Sequence, residues 1–286
     1  MKKFHDFPIG VLENKNLRLE YLTTAGPRIV GLSYQGSPNL LADVHDVFWS
    51  TPHGDYYPLG GHRLWIAPEK VDRTYIPDGS GLQAQELPTG VELSGAVEAG
   101  SGVQKSLRIE LEADRPVVQL LHTIVNRNPL PILLAPWTIS QFRLDGVAIL
   151  PQPQGNADPD GLLNNRSLAL WPYTRINDPR LRLADDFITV RPSSDEHPFK
   201  IGYFNTHGWL AYWRENILFV KRNVPQAGAT FPDGGCNSEV YTNYRGIELE
   251  ALGPLQELAS GGTCTFAETW ELYDNLDQPF LKGWRP

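Results

Sequence analysis

The densest group of chemistry-bearing side chains is Gly60-Gly61-His62-Arg63-Leu64-Trp65, with Pro68-Glu69 just beyond and Trp49, His53, Tyr56 and Tyr57 before it. Paired glycines let a backbone approach a ligand closely, while His, Arg and Trp offer hydrogen bonds and a flat apolar face. A sugar site is furnished in this way. The same residues also fit a structural role, with His62 and Arg63 serving buried loop carbonyls and Trp65 filling a core.

A second group lies near the C-terminus, in Cys236-Asn237-Ser238-Glu239-Val240-Tyr241-Thr242-Asn243 and Gly246-Ile247-Glu248-Leu249-Glu250. In a strand, Ile247 and Leu249 point one way and Glu248 and Glu250 the other, so two acids line one surface. Carboxylates held close raise each other's proton affinity, which suits one of them to general acid or base work. A solvated face of an edge strand has the same pattern. Lys200, in Pro198-Phe199-Lys200-Ile201-Gly202-Tyr203, either reaches into a cleft or snorkels to water. Glu268 shares its parity with Cys264, Phe266, Trp270 and Leu272, so this acid needs a partner on a core-like face.

His53, His62 and Glu69 share one segment, but no two histidines are separated by a single residue, and no metal or cofactor is expected. A nucleophile elbow, a phosphate-binding loop and a dinucleotide fingerprint are missing too. Cys236 and Cys264 lack zinc-clip spacing and read as small buried side chains, with a single bridge between them left open.

The elements that must position these residues read as strands. Val103, Leu107, Ile109 and Leu111 alternate with polar residues, and after Ala113-Asp114-Arg115-Pro116 a second run, Val117 to Val125, suggests a hairpin. Similar runs are Leu17 to Tyr21, Ile29 to Tyr34, Val91 to Val97, Pro131 to Phe142, Trp209 to Tyr212, Ile217 to Lys221, Gly246 to Glu250 and Cys264 to Tyr273. Asp43 to Asp78 and Pro151 to Asp186 read as long loops of the kind that bind ligands. With 286 residues, Gly 26, Pro 24 and no long amphipathic helix, the chain is expected to be all-β, one domain over residues 1–286. A net charge of −8 without basic runs argues against nucleic acid. No stretch of about 18 apolar residues suggests a membrane span, and the reading is of a cytoplasmic protein.

Together, Gly60-Gly61-His62-Arg63-Leu64-Trp65 with Pro68-Glu69, Glu239-Val240-Tyr241-Thr242-Asn243, Ile247 to Pro254 and Glu268-Thr269-Trp270-Glu271-Leu272 resemble a bacterial family of galactose-mutarotase-like proteins, over nearly the whole chain. The resemblance implies a β-supersandwich of antiparallel sheets and, from its aldose 1-epimerases, sugar anomer exchange by a histidine acid and a glutamate base. It implies Glu248 as base, with Glu250 the second choice, and places His62 in the stretch that touches sugar, so that an epimerase variant would use His62 as its acid. Arg63, Trp65, Trp137, Glu239, Tyr241, Asn243 and Lys200 would then hold a small-molecule carbohydrate. One departure stands out. Trp137 occupies the place of the epimerases' catalytic acid, and an indole supplies no proton at neutral pH. Three functions therefore remain open: an epimerase or mutarotase variant, a non-catalytic carbohydrate-binding or sensing module, and a domain related to polysaccharide lyases or hydrolases.

Overall fold

The computed structural model describes residues 2–195 and 197–278. Two antiparallel sheets face each other. The first has eleven strands and runs Lys3–Phe4, Phe7–Glu13, Leu17–Leu22, Arg28–Tyr34, His62–Ala67, Ile132–Phe142, Gly246–Leu252, Ser238–Asn243, Phe199–Tyr203, Ala169–Leu170, with Gln256–Leu258 also paired to Ile132–Phe142. The second has ten and runs Gln83–Leu87, Gly90–Val97, Val103–Leu111, Val117–Asn126, Thr263–Tyr273, Ile217–Arg222, Trp209–Arg214, Val147–Pro151, Phe187–Val190, Leu181–Leu183. Among the described residues the one α-helix is Val71–Thr74, and none is long and apolar enough to cross a membrane.

Period-two patterning accounts for the sandwich. Val103–Leu111 and Val117–Asn126 pair from Val103↔Asn126 to Leu111↔Val118 as the expected hairpin, and Leu107, Ile109, Val118 and Leu120 turn inward. They meet Leu19, Leu32, Phe142, Leu249 and Trp270 in a core drawn from both sheets. Each fully buried Leu, Ile or Phe contributes roughly 1.5–3 kcal/mol, so this interleaved layer holds the sheets together. Cys236 and Cys264 are both buried and form no disulfide.

One expectation about local structure needs correcting. Within Asp43 to Asp78, read as a loop, His62–Ala67 is a central strand between Arg28–Tyr34 and Ile132–Phe142, and all six of its residues are buried. A strand covered on both faces loses the polar-apolar alternation that would reveal it. The segment Pro151 to Asp186 does stay largely irregular, with only the short strands Ala169–Leu170 and Leu181–Leu183.

Candidate functional site

The outward face of the eleven-stranded sheet carries a cleft of about 470 Å³. Strand alternation decides which side chains reach it. From His62–Ala67 come Arg63 and Trp65, from Ile132–Phe142 Trp137 and Gln141, and from Gly246–Leu252 both Glu248 and Glu250. Tyr241 and Asn243 of Ser238–Asn243 and Lys200 of Phe199–Tyr203 complete the floor. Ile247 and Leu249 face the core, so the two-acid surface inferred from alternation exists and is a cleft floor, not a solvated edge.

His62 is the exception. Its strand sends Arg63 and Trp65 to the cleft and therefore His62, Leu64 and Ile66 to the space between the sheets. His62 is fully buried there, its Nε2 2.8 Å from Nε2 of His122 and its Nδ1 2.9 Å from Ser140 Oγ. His122 Nδ1 lies 2.9 Å from the Phe266 carbonyl, which only accepts, so its Nδ1 carries the hydrogen and its Nε2 accepts from His62. Both imidazoles are depressed, first by burial; His122, Lys221 and Arg63 add to the depression of His62. The expected grouping of His62 with Glu248 and Glu250 is therefore not formed. Loop residues can all turn toward one ligand, whereas neighbours on a strand cannot.

Glu268 is buried beside this pair and meets Lys221 Nζ at 3.0 Å, while Trp270 Nε1 donates to its Oε2 at 3.2 Å. Lys221 also donates to the Thr138 carbonyl at 3.1 Å. His62, His122 and Glu268 could offer three donors to a metal, but Lys221 already neutralises the carboxylate. His5, Asp43 and His45 form another such trio at the surface, and none of the three lines the cleft.

Within the cleft the charged groups are tightly coupled. Arg63 Nη2 donates to Glu248 Oε1 at 2.9 Å and its guanidinium lies 4.5 Å over the Trp65 ring. Lys200 Nζ lies 2.9 Å from Glu250 Oε2 and 2.7 Å from Glu239 Oε2, between the rings of Trp137 and Trp171 at 4.6 and 4.7 Å. Lys200 thus neither snorkels to water nor stands free. Burial works against its charge, but the Glu239–Glu250 pair outweighs it and holds the ammonium well above its ordinary value. Trp137 Nε1 donates to Glu250 Oε2 at 2.7 Å. Glu239, expected among sugar-contacting residues, is fully buried under Lys200 and is not part of the cleft lining.

Aromatic side chains form the walls. Trp49, 44% exposed, stacks on Tyr56 at 5.8 Å with a 7° tilt, and Trp65 Nε1 donates to Tyr56 Oη at 3.0 Å. Tyr75 packs edge-on to Trp65 at 4.9 Å and donates to Glu69. Trp171 and Tyr173 come from the irregular segment after residue 151, and Tyr244 and Arg245 from the hairpin turn after Asn243. The sequence reading missed Trp171, Tyr173, Tyr75 and Gln141; a Trp-Pro-Tyr run inside a suspected binding loop was the available signal for the first two.

No protein-family model and no curated protein matches the sequence. Solved structures do. A galactose mutarotase-like protein from Lactobacillus casei ATCC 334 superposes with a TM-score of 0.59 at 10% identity, over 93% of this chain and 100% of that one. An aldose 1-epimerase candidate from Escherichia coli K12 gives 0.53 at 14% identity, over 94% and 99%. A TPR-domain containing protein from Parabacteroides distasonis ATCC 8503 gives 0.61 at 12% identity, over 98% of this chain and 50% of that protein. At such identities the likeness is one of fold, and the fold is the galactose-mutarotase-like sandwich.

Proposed function

We propose that the cleft binds a small-molecule carbohydrate and that the chain exchanges its anomers, with Glu248 as the base. The observation that carries this reading is the floor itself: two carboxyls two residues apart on one strand, with Arg63 and Lys200 beside them and tryptophan rings around them. Sugars present apolar C–H faces for stacking and hydroxyls for charged hydrogen-bond partners, and this surface offers both. Glu248 carries the negative charge that accepts the anomeric hydroxyl proton, and Arg63, 2.9 Å away, holds that carboxylate in place.

Trp137 gives a second reading its support. Its indole stands where a proton donor was expected and is already engaged with Glu250. A cleft lacking a donor would bind or sense a sugar without turning it over. Both readings require binding, so titration of tryptophan emission with a panel of neutral monosaccharides tests them first. Saturable quenching is expected, with affinity reduced about tenfold, or 1.4 kcal/mol, in Trp65→Ala. Emission unmoved by every sugar would overturn both.

A further inference from the structure

Glu239 and Glu250 face each other directly across neighbouring strands. Cβ atoms of such pairs are about 4.5–5.5 Å apart, and like charges there repel. Both glutamates are fully buried and Lys200 is only 4% exposed. Room for the Glu239 side chain comes from Gly202, its cross-strand partner, where an added Cβ would come within 3.0 Å of Glu239 Cγ.

The charges do not balance if both acids are ionised, because among the described residues Lys200 is the one cation in contact with the pair. An uncompensated buried charge costs several kcal/mol. The hydrogen bonds do not balance either. Glu250 Oε2 accepts from Trp137 and Lys200, and Glu239 Oε2 lies 2.7 Å from Lys200 Nζ, but Glu250 Oε1 and Glu239 Oε1 have no hydrogen-bond partner among the described residues. One proton mends both defects, since it leaves a single carboxylate for Lys200 and turns an orphaned oxygen into a donor.

We propose that Glu239 and Glu250 hold one proton between them, and that Glu250, the member bordering the cleft, is the proton donor that Trp137 cannot be. The donor role rests on the sugar reading above; the shared proton does not. Glu239 is a positioning residue, because it reaches the ligand only through Glu250.

Burial and the neighbouring acids favour the proton, while Lys200 and the Trp137 N–H oppose it. Burial is the largest influence on both acids and raises both, Glu239 well above the carboxylate range; Lys200 opposes it. Glu248 adds to the rise of Glu250, and Glu250 and Asp233 add to that of Glu239. The Cys236 thiol, pushed up to about 12 by burial, brings no charge at neutral pH, and burial likewise raises the Tyr173 and Tyr241 hydroxyls. Arg63 is engaged with Glu248. Two acids of one strand are thereby set apart, Glu248 in an ion pair and Glu250 beside a stored proton, the division that acid and base roles require.

The step balances without any co-reactant. Glu250 gives its proton to the ring oxygen while Glu248 takes the anomeric hydroxyl proton. The bond between anomeric carbon and ring oxygen breaks, its electron pair stays on the ring oxygen, and the hydroxyl's pair forms the aldehyde C=O. After rotation about the neighbouring C–C bond the ring closes on the other face, Glu248 returns its proton, and Glu250 recovers its own from the ring-oxygen hydroxyl.

Infrared difference spectra of protein labelled with ¹³C-glutamate, taken at neutral pH, test the shared proton directly. The wild type should show the C=O stretch of a protonated glutamic acid, and Glu239→Gln and Glu250→Gln should each remove it. Either variant leaves one carboxylate for Lys200, so the fold is retained. Lys200→Met should strengthen the band. A wild type without the band, or a band indifferent to both Gln variants, overturns the proposal. In anomer exchange, Glu239→Gln should move the alkaline limb of the pH profile to lower pH while leaving sugar affinity intact, because Glu250 loses a repelling neighbour; an unmoved limb contradicts the donor role. A band present without turnover of any aldose upholds the shared proton and overturns the donor role.

Discussion

One ionic cluster lies on each side of the eleven-stranded sheet, the inner one carried mainly by the facing ten-stranded sheet, and the two are built from similar parts. Between the sheets, Lys221 faces Glu268, with His62, His122, Ser140 and Trp270 around them; on the cleft side, Lys200 faces Glu239 and Glu250, with Trp137 and Trp171. Both lysines are fully buried or nearly so. The difference lies in completeness. Among the described residues the inter-sheet cluster has one acid for its lysine and leaves no buried side-chain atom orphaned, whereas the cleft cluster has one acid too many and two orphaned oxygens, Glu239 Oε1 and Glu250 Oε1. A closed network fixes the two sheets against each other. An open one keeps capacity for a proton and borders the space where a ligand would sit.

The most severe way to break this contrast is Lys221→Met, which strands the Glu268 charge and should cost about 3–5 kcal/mol in urea unfolding. Lys200→Met should cost clearly less, since its two acids can take up a second proton. Equal losses would erase the distinction. Next in size is His62→Ala, expected to lose about 1–3 kcal/mol by leaving His122 Nε2 unpaired and taking one of its partners from Ser140, while sugar quenching of tryptophan emission stays as in the wild type.

The clusters should also answer pH with opposite signs. His62 and His122 are depressed in the folded state, so the unfolded chain binds more protons as pH falls below about 6.5, and that part of stability is lost toward acid. Glu239 and Glu250 are raised, so their contribution is complete below about 4.3 and is lost as pH rises through their folded values. Unfolding free energies measured across pH should show Glu239→Gln removing the loss on the alkaline side and His62→Asn flattening the acid side. A Glu239→Gln variant that follows the wild-type curve would count against the raised pair. The smallest effect is expected at the rim: Trp49→Ala, at an exposed site, should change stability by no more than about 0.5 kcal/mol and weaken sugar binding a few-fold.

These contrasts also mark what the sequence could reveal. Alternation in Gly246–Leu252 was enough to put Glu248 and Glu250 on one face, because Ile247 and Leu249 between them are apolar, and the hairpin from Val103 to Asn126 was equally plain. His62–Ala67 gave no such signal: with both faces covered, polar and apolar residues no longer mark in and out, and adjacency of His62 and Arg63 in sequence looked like adjacency in space. Glu239 has the alternation of a strand, but nothing local tells that its carboxyl lies under Lys200 and opposite Glu250, a matter of register between distant segments. Trp171 and Tyr173 lie where irregular backbone leaves side-chain direction unreadable.

Anomer exchange followed by magnetisation-transfer NMR on glucose and galactose, in the wild type, Glu248→Gln and His62→Asn, tests the central claim that chemistry belongs to the cleft face and not to the histidine beneath it. The expected result is exchange well above the buffer rate in the wild type, a fall of about 10²–10⁴ in Glu248→Gln, and a rate within about tenfold of wild type in His62→Asn. Exchange abolished by His62→Asn in a folded protein, or untouched by Glu248→Gln, would contradict the account.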